Sequence, residues 1–192
     1  MMISRRSFSL ASLGLAVLPA ACASTAPVLY TLDAAPGAVL TGAPRVIILQ
    51  DVGLAPYLNR KPIVRSSGGY QIAVETNNWW GETLSSMIGR VLVAELDQRL
   101  PASQVFSESS TVTPQAQATV ALNVTRFDRN ESGAVVLAAQ LEVTRTDGSK
   151  PPVVDSLRFV APASGTDIPS QVQAMSVALG QLADAIAQAL AG

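Results

Sequence analysis

The feature that most restricts the fold of this chain is an alternation of apolar and polar residues between Val120 and Val160. Apolar side chains stand at every second position in residues 120–124 and again in 135–143. A period of two is that of a β-strand with one buried and one solvated face. Asp147-Gly148 supplies a turn, and residues 153–160 form a third apolar segment. The sequence therefore predicts an antiparallel meander.

Two other segments carry apolar residues at the three- and four-residue spacing of an amphipathic helix. The first is Trp80–Leu100, which ends before Pro101 and follows Asn77-Asn78, predicted to be its N-cap. Its charged residues fall largely off the apolar stripe: Arg90, Glu95, Asp97 and Arg99. The second segment is Ile168–Leu190. Its narrow stripe suits a partner helix, although packing on the domain's own sheet explains it more simply.

Shorter apolar runs predict additional strands. Residues 45–52 form a buried strand, and residues 104–107 return parallel to it after the first helix. Residues 60–66 and 70–76 form a hairpin across Ser67-Gly68-Gly69. The sequence thus predicts a single α/β domain, in which a mixed β-sheet of about five strands packs with two long amphipathic helices.

Residues 1–21 are typical of a signal peptide and are not expected to join this fold. Arg5 and Arg6 precede an uncharged run, Phe8–Ala21, which is shorter than the roughly 20 residues of a membrane-spanning helix. An uncleaved membrane anchor is the alternative. The start Ser4-Arg5-Arg6-Ser7-Phe8 suits twin-arginine export as well as a general secretory signal.

Cys22 is the only cysteine, and the small residues before it are typical of a lipoprotein processing site. Pro19 stands where such sites usually have leucine, so ordinary cleavage near Ala21 is the alternative. We predict a lipidated Cys22 with a tether over residues 22–27, followed by one domain over residues 28–192. Acyl chains would hold the protein on a membrane. The Ala23 after the cysteine favours the outer membrane over the inner one.

Composition excludes several classes of site. The chain has no histidine and one cysteine, which removes His-based catalytic and metal sites, multi-cysteine zinc sites and intrachain disulfides. A net charge of −1 without a basic patch gives no reason to expect nucleic acid. The acidic residues form no shared motif, so we assign no catalytic residue, metal or cofactor.

A surface for partners is predicted at two places. A loop carrying Tyr57, Leu58, Arg60 and Lys61 suits a protein partner or an anionic lipid headgroup. The alternative is a structural loop in which Tyr57 and Leu58 face inward. Trp79 and Trp80 suit a docking spot, because tryptophan is enriched at binding hot spots. We expect Trp80 to face the core and Trp79 to be more exposed.

Four stretches together resemble the ABC-type transport auxiliary lipoprotein family. They are Tyr57–Arg65, Asn77–Trp80 with the following helix, Leu122–Phe127 with Val135–Leu137, and Met175–Ala187. The resemblance implies a non-enzymatic periplasmic lipoprotein that serves an ABC lipid transport system. The implied partners are an MCE-domain periplasmic protein, ABC transporter subunits and further copies of the chain. A lipid carrier and a structural envelope lipoprotein are the alternative functions.

Overall fold

A nine-stranded mixed sheet is the frame of the domain in the computed structural model, which describes residues 26–66, 70–112 and 114–192. The strands are β1 (Val28–Tyr30), β2 (Val46–Leu49), β3 (Gly53–Leu54), β4 (Pro62–Ser66), β5 (Ile72–Trp80), β6 (Gln104–Ser107), β7 (Ala118–Arg129), β8 (Ala134–Arg145) and β9 (Val153–Pro162). The helices are α1 (Leu84–Arg99) and α2 (Ile168–Ala191). The predicted fold class is confirmed.

The predicted meander is confirmed, since β7, β8 and β9 pair antiparallel in that order. The alternating face of β8, from Val135 to Val143, is buried in the core, whereas Gln140 and Glu142 are exposed. The predicted hairpin of β4 and β5 is also present, although its turn at residues 67–69 lies outside the described residues.

The sheet has more strands than the predicted five because the long strand β7 offers its second edge to several short ones. β2, β3 and β4 each pair parallel with a different part of β7. β6 extends the sheet beyond β2 as the predicted parallel pair, and β5 and β1 extend it beyond β4. A strand as short as β3, two residues long, has too little periodicity to be recognised in a sequence.

The predicted start of the first helix is wrong. Asn77 and Asn78 do not cap α1; they belong to β5, which continues to Trp80, and the N-cap is Thr83. Pairing explains the difference, because the last residues of β5 lie between β1 and β4. Tryptophan is enriched in strands, where its side chain packs against residues of the neighbouring strands.

The second helix packs on the domain's own sheet, against β7, β8 and β9, and also against α1. Its predicted stripe is buried throughout, from Ile168 to Leu190. Asp167 caps the helix by accepting a hydrogen bond from the backbone N–H of Ser170 at 2.8 Å. By length and composition alone α2 also satisfies the criterion for a membrane span, but core packing explains its apolar character.

Glu95 and Arg99 are buried, although the sequence places them largely off the apolar stripe. The reason is a segment that we call the strap, residues 31–44, which covers the polar side of α1. Arg99 donates to the carbonyl of Ala35 at 3.1 Å, and Glu95 accepts from the N–H of Ala35 at 2.8 Å. Gly37 lies against the Arg99 guanidinium so closely that a Cβ would overlap it. The two side chains therefore fasten the strap to α1.

Candidate functional site

An open cleft of about 600 Å³ lies where β1, the loop before β4 and the β5–α1 connection meet. We call it the tether cleft, because Pro27, five residues after Cys22, is one of its lining residues. Its lining residues are Pro27, Leu29, Asn59, Arg60, Lys61, Trp79, Trp80, Gly81, Glu82, Thr83 and Leu84. The cleft thus brings together four of the six predicted partner-binding residues: Arg60, Lys61, Trp79 and Trp80.

Backbone pairing fixes the walls of the tether cleft. Leu29 of β1 and Pro62 of β4 both lie directly across from Trp79. The Trp80 N–H donates to the carbonyl of Lys61 at 2.8 Å. The Gly81 N–H donates to the carbonyl of Tyr30 at 2.9 Å. Three segments that are distant in sequence are therefore held in one arrangement by the sheet itself.

Arg60 and Lys61 give the tether cleft its positive charge. Both side chains are exposed, and neither forms a salt bridge with another described residue. The only acidic residue of the lining, Glu82, is paired with Arg90 at 2.7 Å. The cleft can therefore receive an anionic group without first breaking an ion pair of Arg60 or Lys61.

The apolar part of the tether cleft comes from β1 and Trp79. Leu29 is 63% exposed. The half-buried Trp79 is held by its indole N–H, which donates to the carbonyl of Thr76 at 3.0 Å. Trp80 is only 4% exposed and packs in the core. The sequence did not mark Leu29 as a site residue, because its exposure follows from the edge position of β1 and not from any local pattern.

Tyr57 and Leu58 point away from the tether cleft. Leu58 is buried in the core. The Tyr57 O–H donates to Asp128 at 2.7 Å, and Asp128 is also paired with Arg126 at 3.0 Å. Burial, together with this hydrogen bond, raises the pKa of Tyr57 above its ordinary value. Tyr57 therefore connects the loop to β7 and Leu58 packs in the core, as in the structural alternative.

Tyr57→Phe is expected to destabilise the domain by about 1–2 kcal/mol, because the substitution leaves a buried carboxylate of Asp128 without one donor. Urea unfolding followed by circular dichroism measures the loss. Tyr70→Phe is the matched control, since Tyr70 is fully exposed and its hydroxyl should contribute less than about 0.5 kcal/mol. Equal stability of the two variants would contradict a structural role of the Tyr57 hydroxyl.

Other surface features of the described residues offer less specific groups for binding a ligand. A mostly apolar groove of about 420 Å³ separates Tyr30–Ala35 from the first turns of α2, and it is open to solvent. A lipid carrier is expected to enclose its ligand, whereas this groove and the tether cleft are open. No group of three or more His, Cys, Asp and Glu residues within the described ranges is placed to hold a metal ion.

Comparison with known proteins gives a family match and a shared fold. The family model described as ABC-type transport auxiliary lipoprotein component matches residues 30–187. A crystal structure of an uncharacterized protein superposes with a TM-score of 0.71 at 19% identity, covering 85% of this chain and 98% of that one. A Xanthomonas campestris protein of the DUF330 family superposes with a TM-score of 0.68 at 14% identity, covering 83% and 92%. No curated protein sequence matches the chain.

Proposed function

The chain belongs to the family of ABC-type transport auxiliary lipoprotein components, and we propose that it serves an ABC-type lipid transport system. In this proposal its partners are the ABC transporter subunits and a periplasmic subunit that carries MCE domains. The protein acts without catalysis, as the component that docks the transporter at the envelope. The observation that carries the proposal is the family match over residues 30–187, which runs from the end of β1 into the last turns of α2.

We place the protein in the periplasm, anchored through Cys22 to the outer membrane. Cys22 and the signal at residues 1–21 lie outside the described residues, so lipidation stays a prediction from the sequence. The place of Pro27 in the lining of the tether cleft supports the proposal, because it leaves only a short connection between the anchor and the domain. We also propose that the domain self-associates within the transport assembly.

Affinity capture of the full-length chain from detergent-solubilised envelopes of its own host tests this function. We expect an MCE-domain protein and an ABC permease to be recovered with it, identified by mass spectrometry. The matched variant is Cys22→Ser, which should move the protein from the membrane fraction to the soluble periplasmic fraction. Recovery of stoichiometric lipid without any transporter subunit would contradict the docking role and favour a carrier. A monomer in light scattering would contradict self-association.

A further inference from the structure

The length of the tether limits how far the domain can stand from a membrane. Five residue steps join Cys22 to Pro27, and an extended chain spans at most about 3.6 Å per residue, so the connection reaches about 18 Å at most. If Cys22 carries the anchor, as the proposed function requires, Pro27 in the lining of the tether cleft stays within that distance of the lipid headgroups. The cleft is therefore the part of the described surface tied most closely to the bilayer.

The side chains at this position are those that suit a lipid–water interface. Arg60 and Lys61 are exposed cations without an acidic partner among the described residues. Anionic headgroups attract such cations. Leu29 is 63% exposed, and Trp79 lies directly across from it. Exposed aliphatic side chains and tryptophan are favoured at the level of the headgroups.

The charge of the tether cleft is local and does not follow from the composition of the chain. Once Arg5 and Arg6 leave with the signal, the mature chain has more acidic than basic residues. An acidic domain is repelled by an anionic bilayer unless it presents a basic face. The two adjacent cations beside the anchor provide such a face.

We propose that the tether cleft is a membrane-contact surface. Arg60 and Lys61 bind the phosphates of anionic phospholipids, while Leu29 and Trp79 enter the headgroup region. The contact holds the domain in one orientation on the bilayer instead of leaving it to rotate on its tether. In the sheet, β9 is five strand spacings away from β1, about 24 Å, so this orientation turns β9 toward the periplasm.

Quenching of tryptophan fluorescence by brominated lipid tests this contact on the complete lipoprotein. The protein is reconstituted into vesicles of phosphatidylcholine and phosphatidylglycerol that contain brominated chains. Trp79 and Trp80 are the only tryptophans, and Trp80 is buried, so Trp79→Phe gives the background signal. We expect quenching of Trp79 that weakens when salt is added, because salt screens the headgroup charge.

The decisive variant is the double substitution Arg60→Glu with Lys61→Glu. It is expected to reduce the population in contact with lipid by about tenfold or more. The thermal unfolding of the domain should not change, because both side chains are exposed. Arg158→Glu is the control, because Arg158 is exposed on β9 at the opposite edge of the sheet. Unquenched Trp79 in the wild-type protein, or equal quenching in the double variant and the control, would overturn the proposal.

The result is separable from the test of the transport function. Flotation of the vesicles in a density gradient shows whether the protein is attached to them. If the protein does not float with the vesicles, the result contradicts the anchor at Cys22 and also overturns the membrane contact. A protein that floats without quenching of Trp79 overturns the membrane contact alone. In that case recovery of transporter subunits from the host would still support the docking role, and the tether cleft would be free for a protein partner.

Discussion

Replacing Arg99 with alanine is expected to destabilise the domain by about 2–4 kcal/mol, the largest effect among the substitutions that we predict. Arg99 is only 1% exposed, and its Nε donates to Asp184 at 2.6 Å. Its other nitrogens donate to the carbonyls of Ala35 and Gly180, both at 3.1 Å. Alanine would leave the Ala35 carbonyl without this donor, remove the partner of Asp184 and open a cavity between the strap and both helices.

Arg90→Ala is the matched control for this prediction, because Arg90 lies on the same helix. Its salt bridge with Glu82, at 2.7 Å, and its hydrogen bond to the hydroxyl of Thr31 in the strap, at 3.1 Å, are both exposed on the surface. Exposed pairs contribute less than about 1 kcal/mol. Urea unfolding of both variants measures the difference. Similar losses for the two arginines would contradict the role of Arg99 as the residue that fastens the strap.

The regular elements were predictable because their periodicity is local. Each side chain of the α2 stripe repeats at helical spacing, and Asp167 and Pro169 mark the start of the helix within a few residues. The alternation in β8 likewise identifies its buried face without knowledge of any partner. Such patterns depend on neighbours in sequence, so the two helices and the meander could be predicted from the sequence alone.

The arrangement of the tether cleft was not predictable, because it depends on pairing between distant segments. Leu29 lies across from Trp79, fifty positions later in the chain, and no local pattern encodes that contact. Residue type did select Arg60, Lys61 and Trp79 as surface residues of interest, and the structure places them in one cleft. Residue type could not show that Leu58 faces the core, because an apolar residue in a loop can lie either in the core or on the surface.

The burial of Glu95 and Arg99 under the strap was likewise not predictable from the sequence. The spacing of Glu95 and Arg99 places both largely off the apolar stripe of α1, and nothing in that pattern indicates that they are buried. A loop of alanine, glycine and proline between β1 and β2 covers that side instead. Its backbone groups need partners once they are buried, and the two side chains supply them. The charge of Glu95 and Arg99 therefore did not reveal that their side chains are buried.

Glu95 gives the second large prediction, a dependence of stability on pH that Glu95→Gln should remove. Burial raises the pKa of Glu95 from its ordinary value of 4.5 to about 7. Between these values the folded protein keeps a proton that the unfolded chain releases. The free energy of unfolding therefore loses a contribution of about 1.4 kcal/mol for each pH unit as pH rises through this window. Glutamine has no proton to lose, so the variant should lack this contribution.

The measurement is urea unfolding of the wild-type protein and Glu95→Gln at about pH 5 and about pH 8, on either side of the raised pKa. Other groups titrate equally in both proteins, so the difference between the two pH dependences isolates Glu95. Relative to the wild type, the variant should be more stable at the higher pH than at the lower one. Glu82→Gln is the control, since Glu82 forms only a surface pair with Arg90. If Glu95→Gln keeps the full pH dependence of the wild type, Glu95 is not protonated in the folded domain, and the strap is held by an ionised carboxylate.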